Sequence, residues 1–142
     1  MRILGLDYGS KTVGVAISDP TGLIAQPLKT ILRERESMLR RTLTEIAGLA
    51  EEYQAEKIIL GLPFNMDDTE GERAARTREF ARKLALRVNI PVLFMDERLT
   101  TVAAAEILDE SGIPRSEQKK VIDQVAAQLI LQTYLDDARN EQ

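Results

Sequence analysis

The chain has 142 residues, 19 basic and 23 acidic, a formal net charge of −4, and 44% hydrophobic against 30% charged residues. That is the balance of one globular domain with a real core; residues 1–138 are expected to form it and 139–142 a polar tail. Cys and His are both absent, which excludes disulfides, the usual zinc ligands, the Ser-His-Asp triad and the Cys-His nucleophile.

Any hydrolytic chemistry must therefore rest on carboxylates, Lys, Tyr, hydroxyls or a hard metal ion. The start, Met1-Arg2-Ile3-Leu4, runs into Asp7 without the long apolar region of a signal peptide. No apolar stretch approaches the roughly 20 residues of a bilayer span. The lack of Cys fits a reducing compartment.

The apolar run Ile3 to Leu6 leads into Asp7, Gly9 and Ser10 turn the chain, and Thr12 to Ile17 form a second β-rich run. This predicts a hairpin with Asp7 at the end of its first strand. After the turn signal Asp19-Pro20-Thr21-Gly22, Leu23 to Ile31 reads as a third strand. Pro27 places it at an edge, since proline cannot donate to a ladder.

From about Glu36 to Gln54 the period becomes helical, with Leu39, Leu43, Ile46, Ala50 and Tyr53 on one face. Lys57 to Gly61 is a short apolar run ended by Leu62-Pro63, which suits a central strand buried on both faces. A polar loop, 65–71, follows. Thr69 and Glu72 have capping-box spacing for a helix that buries Phe80, Ala81, Leu84, Ala85 and Val88.

That helix is locally basic. It carries Arg73, Arg76, Arg78, Arg82, Lys83 and Arg87 against Glu72 and Glu79, which suits either a solvated face or a phosphate-binding one. Asn89-Ile90-Pro91 ends it, and Val92 to Met95 reads as another buried strand ending in Asp96-Glu97-Arg98. A short helix carries Ala104, Ile107 and Leu108, and Gly112-Ile113-Pro114 stops it. Ser116 is expected to cap the last helix, which carries Val121, Val125, Ala127, Gln128, Ile130 and Tyr134 and gives way to a polar tail from Asp136.

The order βββαβαβα, with a short helix before the last, predicts an α/β fold on a five-stranded mixed sheet. The last two strands lie parallel to the first, because helical crossovers join parallel strands. Ligands of such sheets collect at the carboxyl ends of parallel strands, where Asp7 and Asp96-Glu97 both fall. In the last helix Asp123 shares the apolar, sheet-facing side with Ala127, Ile130 and Tyr134.

A buried charge is costly unless paired or coordinated, so Asp7, Asp96 or Glu97, and Asp123 are expected to converge. Clustered carboxylates without His or Cys suit Mg²⁺ or Mn²⁺. Two such ions can activate water and stabilise the leaving oxygen of a phosphodiester. Each acid also has a structural reading alone. Asp7 can serve a turn, Asp96 or Glu97 can cap the next helix, and Asp123 can pair with Lys119, Lys120 or a neighbouring Arg.

Four stretches carry a resemblance. They are Gly5-Leu-Asp7-Tyr-Gly9-Ser-Lys11-Thr-Val-Gly14-Val-Ala16-Ile-Ser-Asp19, Gly61-Leu62-Pro63-Phe-Asn65-Met-Asp67 with Thr69-Glu70-Gly71, Asp96-Glu97-Arg98-Leu99-Thr100-Thr101, and Lys120 with Asp123-Gln-Val-Ala126-Ala127. In that order they resemble the YqgF-type family of pre-16S ribosomal RNA nucleases and Holliday-junction-resolvase-like proteins, within the ribonuclease H-like superfamily.

The resemblance implies a ribonuclease H-like fold and a metal-dependent cytoplasmic nuclease that matures the 5′ end of pre-16S ribosomal RNA. It implies Asp7, Glu97 and Asp123 as catalytic acids and, with Asp96, as ligands of Mg²⁺ or Mn²⁺. Many resolvases of the superfamily place an acid where this chain has Gly61-Leu62-Pro63, so the second acid must come from the next strand. Asp67-Asp68 stands where Asp-Gly is expected.

Chemistry suggests further roles. Lys11 can contact phosphate or be solvated, and Arg98 can bind phosphate bidentately or neutralise Asp96. Asn65 with Thr69-Glu70-Gly71 can form a rim that admits a strand, or an ordinary capped loop. Arg73 and Arg76 are expected to position a nucleic-acid backbone. With three Phe and three Tyr, recognition would lean on charge and shape rather than on stacked bases.

The expected partner is structured RNA, with no membrane, in a monomer or a homodimer. The alternatives are a DNA junction resolvase, which needs two copies for paired cuts, and a non-catalytic nucleic-acid-binding adaptor of the same fold.

Overall fold

The alternation of side chains along the first strand sets the layers of the molecule. The computed structural model describes residues 2–65, 67, 69–97 and 100–140, with the side chains of all of these except 100–103, 119 and 120. Strand β1 (Arg2–Tyr8) is followed by β2 (Thr12–Ser18), β3 (Ala25–Leu32), α1 (Leu39–Glu52), β4 (Ala55–Leu62), α2 (Glu72–Ala85), β5 (Val92–Asp96), α3 (Thr100–Glu110) and α4 (Arg115–Asn140). The strands make one sheet in the order β3-β2-β1-β4-β5. β1 and β3 pair antiparallel with β2, while β4 pairs parallel with β1 and β5 parallel with β4. This is the five-stranded mixed sheet expected from the element order, with β1 at its centre.

In β1, Leu4, Leu6 and Tyr8 join Val13, Val15, Ile58, Leu60, Leu43, Ile46 and Phe80 in the core beneath α1 and α2. Ile3, on the opposite face, joins Ala16, Ile59, Ala127, Ile130 and Leu131 beneath α4. A period of two in a strand separates these two sets. Asp7 belongs with the second.

β3 is an edge, as Pro27 requires; Pro27 stands opposite Ala16, where the ladder is irregular. α4 is stitched to this edge by glutamines. Gln132 accepts from the Ala25 amide at 2.8 Å, and the Gln128 amide donates to the Ala25 carbonyl at 3.1 Å. A small third cluster, Ala104, Leu108, Val125 and Ala126, docks α3 onto α4.

Several local expectations are corrected. β5 is not a buried strand: as the other edge of the sheet it leaves Leu93 and Phe94 exposed at 40% and 38%. α1 starts at Leu39 rather than near Glu36, and 33–38 is a connection without regular structure.

The α2 N-cap is Gly71, with no side-chain cap bond, so Thr69 and Glu72 form no capping box. Thr69 instead donates through its amide (3.1 Å) and hydroxyl (2.5 Å) to Asp67, closing a local turn. Ser116 lies inside α4, whose first amides, Glu117 and Gln118, donate to the Pro114 carbonyl. α4 continues to Asn140 instead of giving way at Asp136. Ala85 is exposed rather than buried.

Candidate active site

Backbone proximity, more than side-chain reach, assembles the acids. Asp7 pairs with Gly14 across the β1–β2 hairpin. A side chain at Gly14 would overlap the backbone carbonyl of Asp123 in α4. The helix therefore rests directly on β2 at the residue opposite Asp7, and a glycine is needed there for the contact to exist.

The third acid arrives from β5. Asp96 pairs with Leu62, and the next amide, Glu97, donates to the Leu62 carbonyl at 3.3 Å. A Cβ at Gly61 would lie 2.8 Å from Glu97 Oε2 and 3.1 Å from Glu97 Cβ. Glu97 thus fills the space over the end of β4 where an acidic side chain of β4 would otherwise stand.

Asp7 and Glu97 meet in a hydrogen bond between their carboxyl groups. Burial raises both groups above the usual carboxylate range. For Asp7 the shared bond and the Arg73 charge oppose the rise, while the Asp123 charge adds to it. Glu97 is pushed up to about 9, by burial first and then by the charge of Asp7 and the shared bond. Two carboxyls this close hold one proton between them.

Asp96 is exposed and acts on Glu97 through its charge. It is Glu97, not Asp96, that β5 brings against Asp7. Among the described residues no three acidic side chains already enclose an ion position. The donor set still fits a hard divalent cation. It is all oxygen, it is crowded with negative charge, and burial raises Asp7 and Glu97 toward the protonated form, as in carboxylates without their cation.

The expected phosphate contacts divide. Lys11 is exposed beside the β1–β2 turn. The Asn65 side-chain amide donates to the Thr69 hydroxyl at 3.0 Å and its backbone amide to the Thr69 carbonyl at 2.8 Å, so Asn65 holds its own loop closed. Arg73 donates to Glu36 at 2.8 Å, and Arg76 is bound to both Glu36 and Glu72. Arg78 pairs with Glu70 and Arg82 with Glu79. Much of the basic helix face is therefore already balanced by acids. Arg98 lies outside the described residues.

Three residues escaped sequence reasoning: Arg33, Glu36 and Tyr8. Arg33 and Glu36 sit where a helix start or plain loop was expected, and Tyr8 reads as an ordinary core aromatic. A buried arginine has no periodic signature.

The order and direction of the strands, with the helices on their two faces, define a ribonuclease H-like fold. Three solved structures share the fold. Thermus thermophilus RuvC aligns with a TM-score of 0.61 at 14% identity, over 99% of this chain and 97% of that one. Its complex with a Holliday junction substrate gives 0.61 at 13%, over 98% and 96%. The fowlpox virus Holliday junction resolvase gives 0.57 at 14%, over 97% and 99%.

The chain belongs to the family described as "RuvX: Holliday junction resolvase", whose model matches residues 1–137. Curated relatives span nearly the same length. One from Lachnospira eligens is 53% identical over 136 residues, 96% of this chain and 97% of its own. One from Syntrophus aciditrophicus is 47% identical over 141 residues, 99% and 92%. Both carry the name "Putative pre-16S rRNA nuclease".

Proposed function

We propose that this chain is a divalent-metal-dependent nuclease that hydrolyses phosphodiester bonds of precursor 16S ribosomal RNA near its 5′ end. The observation that carries this reading is the contact between Asp7 and Glu97, two buried carboxyls from parallel-related strands, beside a helix seated on Gly14 at Asp123. The names of the relatives support the substrate.

Asp7, Glu97 and Asp123 are the residues that would hold Mg²⁺ or Mn²⁺, with Asp96 in support. Bound there, the ion supplies a Lewis acid for the phosphate and a water of lowered pKa. Asp7 and Glu97 hold a proton between them that they would give up to take a cation. Arg73, whose charge reaches both carboxyls, offsets negative charge that gathers on the phosphate. Lys11, Arg98 and Arg76 steer the backbone toward the acids, and Asn65 fixes the rim it passes. The domain of residues 1–138 suffices for this chemistry.

Among the described residues no helix is long and apolar enough to cross a membrane, and a cytoplasmic setting follows from the ribosomal substrate. A single copy serves for cutting RNA.

The family description favours a second reading, resolution of Holliday junctions, for which paired cuts would take two copies of the chain. One experiment addresses both. Unmodified protein and Asp7→Asn are given Mn²⁺ with precursor RNA and, in competition, a four-way DNA junction. We expect RNA cleavage that Asp7→Asn slows by on the order of a hundredfold or more. Equal rates for the two proteins would overturn the site, and preferential cutting of the junction would overturn the substrate.

A further inference from the structure

β1 sends Asp7 to one face of the sheet and the next residue, Tyr8, to the other. The Tyr8 ring stacks on Phe80, with centroids 4.2 Å apart and planes 18° from parallel. Two guanidinium groups also lie against it, Arg33 at 4.8 Å and Arg73 at 5.3 Å from the ring centroid.

Arg33 is only 9% exposed. Its Nη2 donates to the Gly9 carbonyl at 2.6 Å, but Nε and Nη1 are buried without an acceptor among the described residues. Arg73 Nη1 donates to Glu36 at 2.8 Å, while its Nη2 is likewise buried without an acceptor. Arg76 also donates to Glu36. Arg73 and Arg76 thus share the Glu36 carboxylate, and Arg33 and Arg73 share the Tyr8 ring.

Buried donors of a charged group are costly when unmet. Folded proteins keep few of them, and those few need an explanation such as an absent ion. The guanidinium fork matches planar carboxylate and tetrahedral phosphate alike. Glu36 is carried on the irregular 33–38 connection, so it can leave without disturbing a helix or strand. A cleft of about 430 Å³, lined by Tyr8, Glu36, Arg76 and Lys83 among others, opens beside it.

We infer that Arg33 and Arg73, held against Tyr8, together with Arg76 in the adjoining cleft form a phosphate subsite for the RNA strand, and that Glu36 occupies its Arg73–Arg76 side in the free protein until a phosphate displaces it. The inference rests on the reading of the chain as an RNA-cutting enzyme. It adds a binding step, in which Glu36 exchanges its two guanidinium partners for solvent and the strand takes its place. The strand's phosphate then meets donors that had none, Arg73 Nη2 and the Nε and Nη1 of Arg33.

The test measures binding without cutting. Fluorescence anisotropy in EDTA follows two labelled single-stranded RNAs, one with a 5′-phosphate and one with a 5′-hydroxyl. Glu36→Gln should tighten binding about threefold or more, since a competing charge pair of this kind is worth up to a few-fold in an equilibrium constant. Arg33→Met should weaken binding and lower the salt slope by about 0.7, the loss of one single-strand phosphate contact, and Arg33→Lys should recover part of it.

A response from both RNAs assigns the subsite to internal phosphates, and a response from the 5′-phosphate RNA alone assigns it to a terminal one; either upholds it. Glu36→Gln decides the matter even if Arg33→Met fails to fold. If the unmodified protein cuts RNA with Mn²⁺ but Glu36→Gln binds no more tightly, the subsite is wrong and the nuclease reading stands. If the unmodified protein neither binds nor cuts RNA, both are overturned.

Discussion

The carboxylate of Glu97 stands over Gly61 of the neighbouring strand, 2.8 Å from the point a β-carbon there would occupy. An acid that reaches the site from β5 thus depends on the absence of a side chain in β4. The same point would lie 2.5 Å from Ile130 Cδ1 in α4, so Gly61 also sets how closely that helix approaches.

Gly61→Ala should therefore displace Glu97 and Ile130 together. We expect a loss of about 1–3 kcal/mol in stability, the usual penalty for overpacking, and weaker Mn²⁺ binding. Urea unfolding and isothermal calorimetry measure the two effects separately.

At Gly14 the obstacle is the Asp123 backbone carbonyl rather than a movable side chain. Gly14→Ala should cost more than Gly61→Ala, on the order of 3 kcal/mol, because the helix must lift off the sheet. Circular dichroism should show helix retained while the thermal midpoint falls. A midpoint within 2 °C or so of the unmodified protein would contradict this.

These two contacts also explain what a sequence reader can and cannot see. Strand order, the edge at Pro27, the two-faced core of β4 and the sheet-facing position of Asp123 all follow from periodicity and turn residues. That Glu97 rather than Asp96 meets Asp7 depends on how β5 ends against Leu62, and no spacing rule contains that register. The exposure of Leu93 and Phe94 depends on β5 being the last strand of the sheet. The charge balance of α2 was illegible for a related reason: Glu36 and Glu70, which pair with Arg73, Arg76 and Arg78, are brought in from outside the helix.

The carboxyl pair gives the metal-free protein a pH dependence of known sign. Glu97 is held near 9 in the fold against an ordinary value of 4.5. Between those values the folded chain keeps a proton that the unfolded chain has released, so stability falls as pH rises through that window. Below about 4.5 the group is protonated in both states and contributes no difference. Glu97→Gln should flatten the decline in EDTA, as read from urea midpoints near pH 5, 7 and 9. An unchanged slope would show that the pair does not share its proton.

Asp7→Asn should stabilise the metal-free protein, because it removes the one buried charge that the proton-sharing pair retains. It should also abolish the rise in thermal midpoint that Mn²⁺ gives the unmodified protein through preferential binding to the folded state. Thermal scans with EDTA and with Mn²⁺ compare the two proteins directly.

Phe80 is fully buried and is the surface on which Tyr8 rests. Phe80→Ala should cost about 3–5 kcal/mol. Phe80→Leu should keep the fold but loosen Tyr8, and with it the arginines on that side.

Asp7 and Tyr8 are consecutive in a strand that is paired on both sides, and this has a consequence for how such a protein can diversify. The offset between the Asp7 carboxyl and the arginine-lined face is one peptide unit across the thickness of a sheet. Covalent geometry sets that gauge, and a slip of one residue would exchange the two faces outright. Substrate preference can therefore drift only in the segments that border the gauge, 33–38 and 63–71, where side chains can change without moving either end of it.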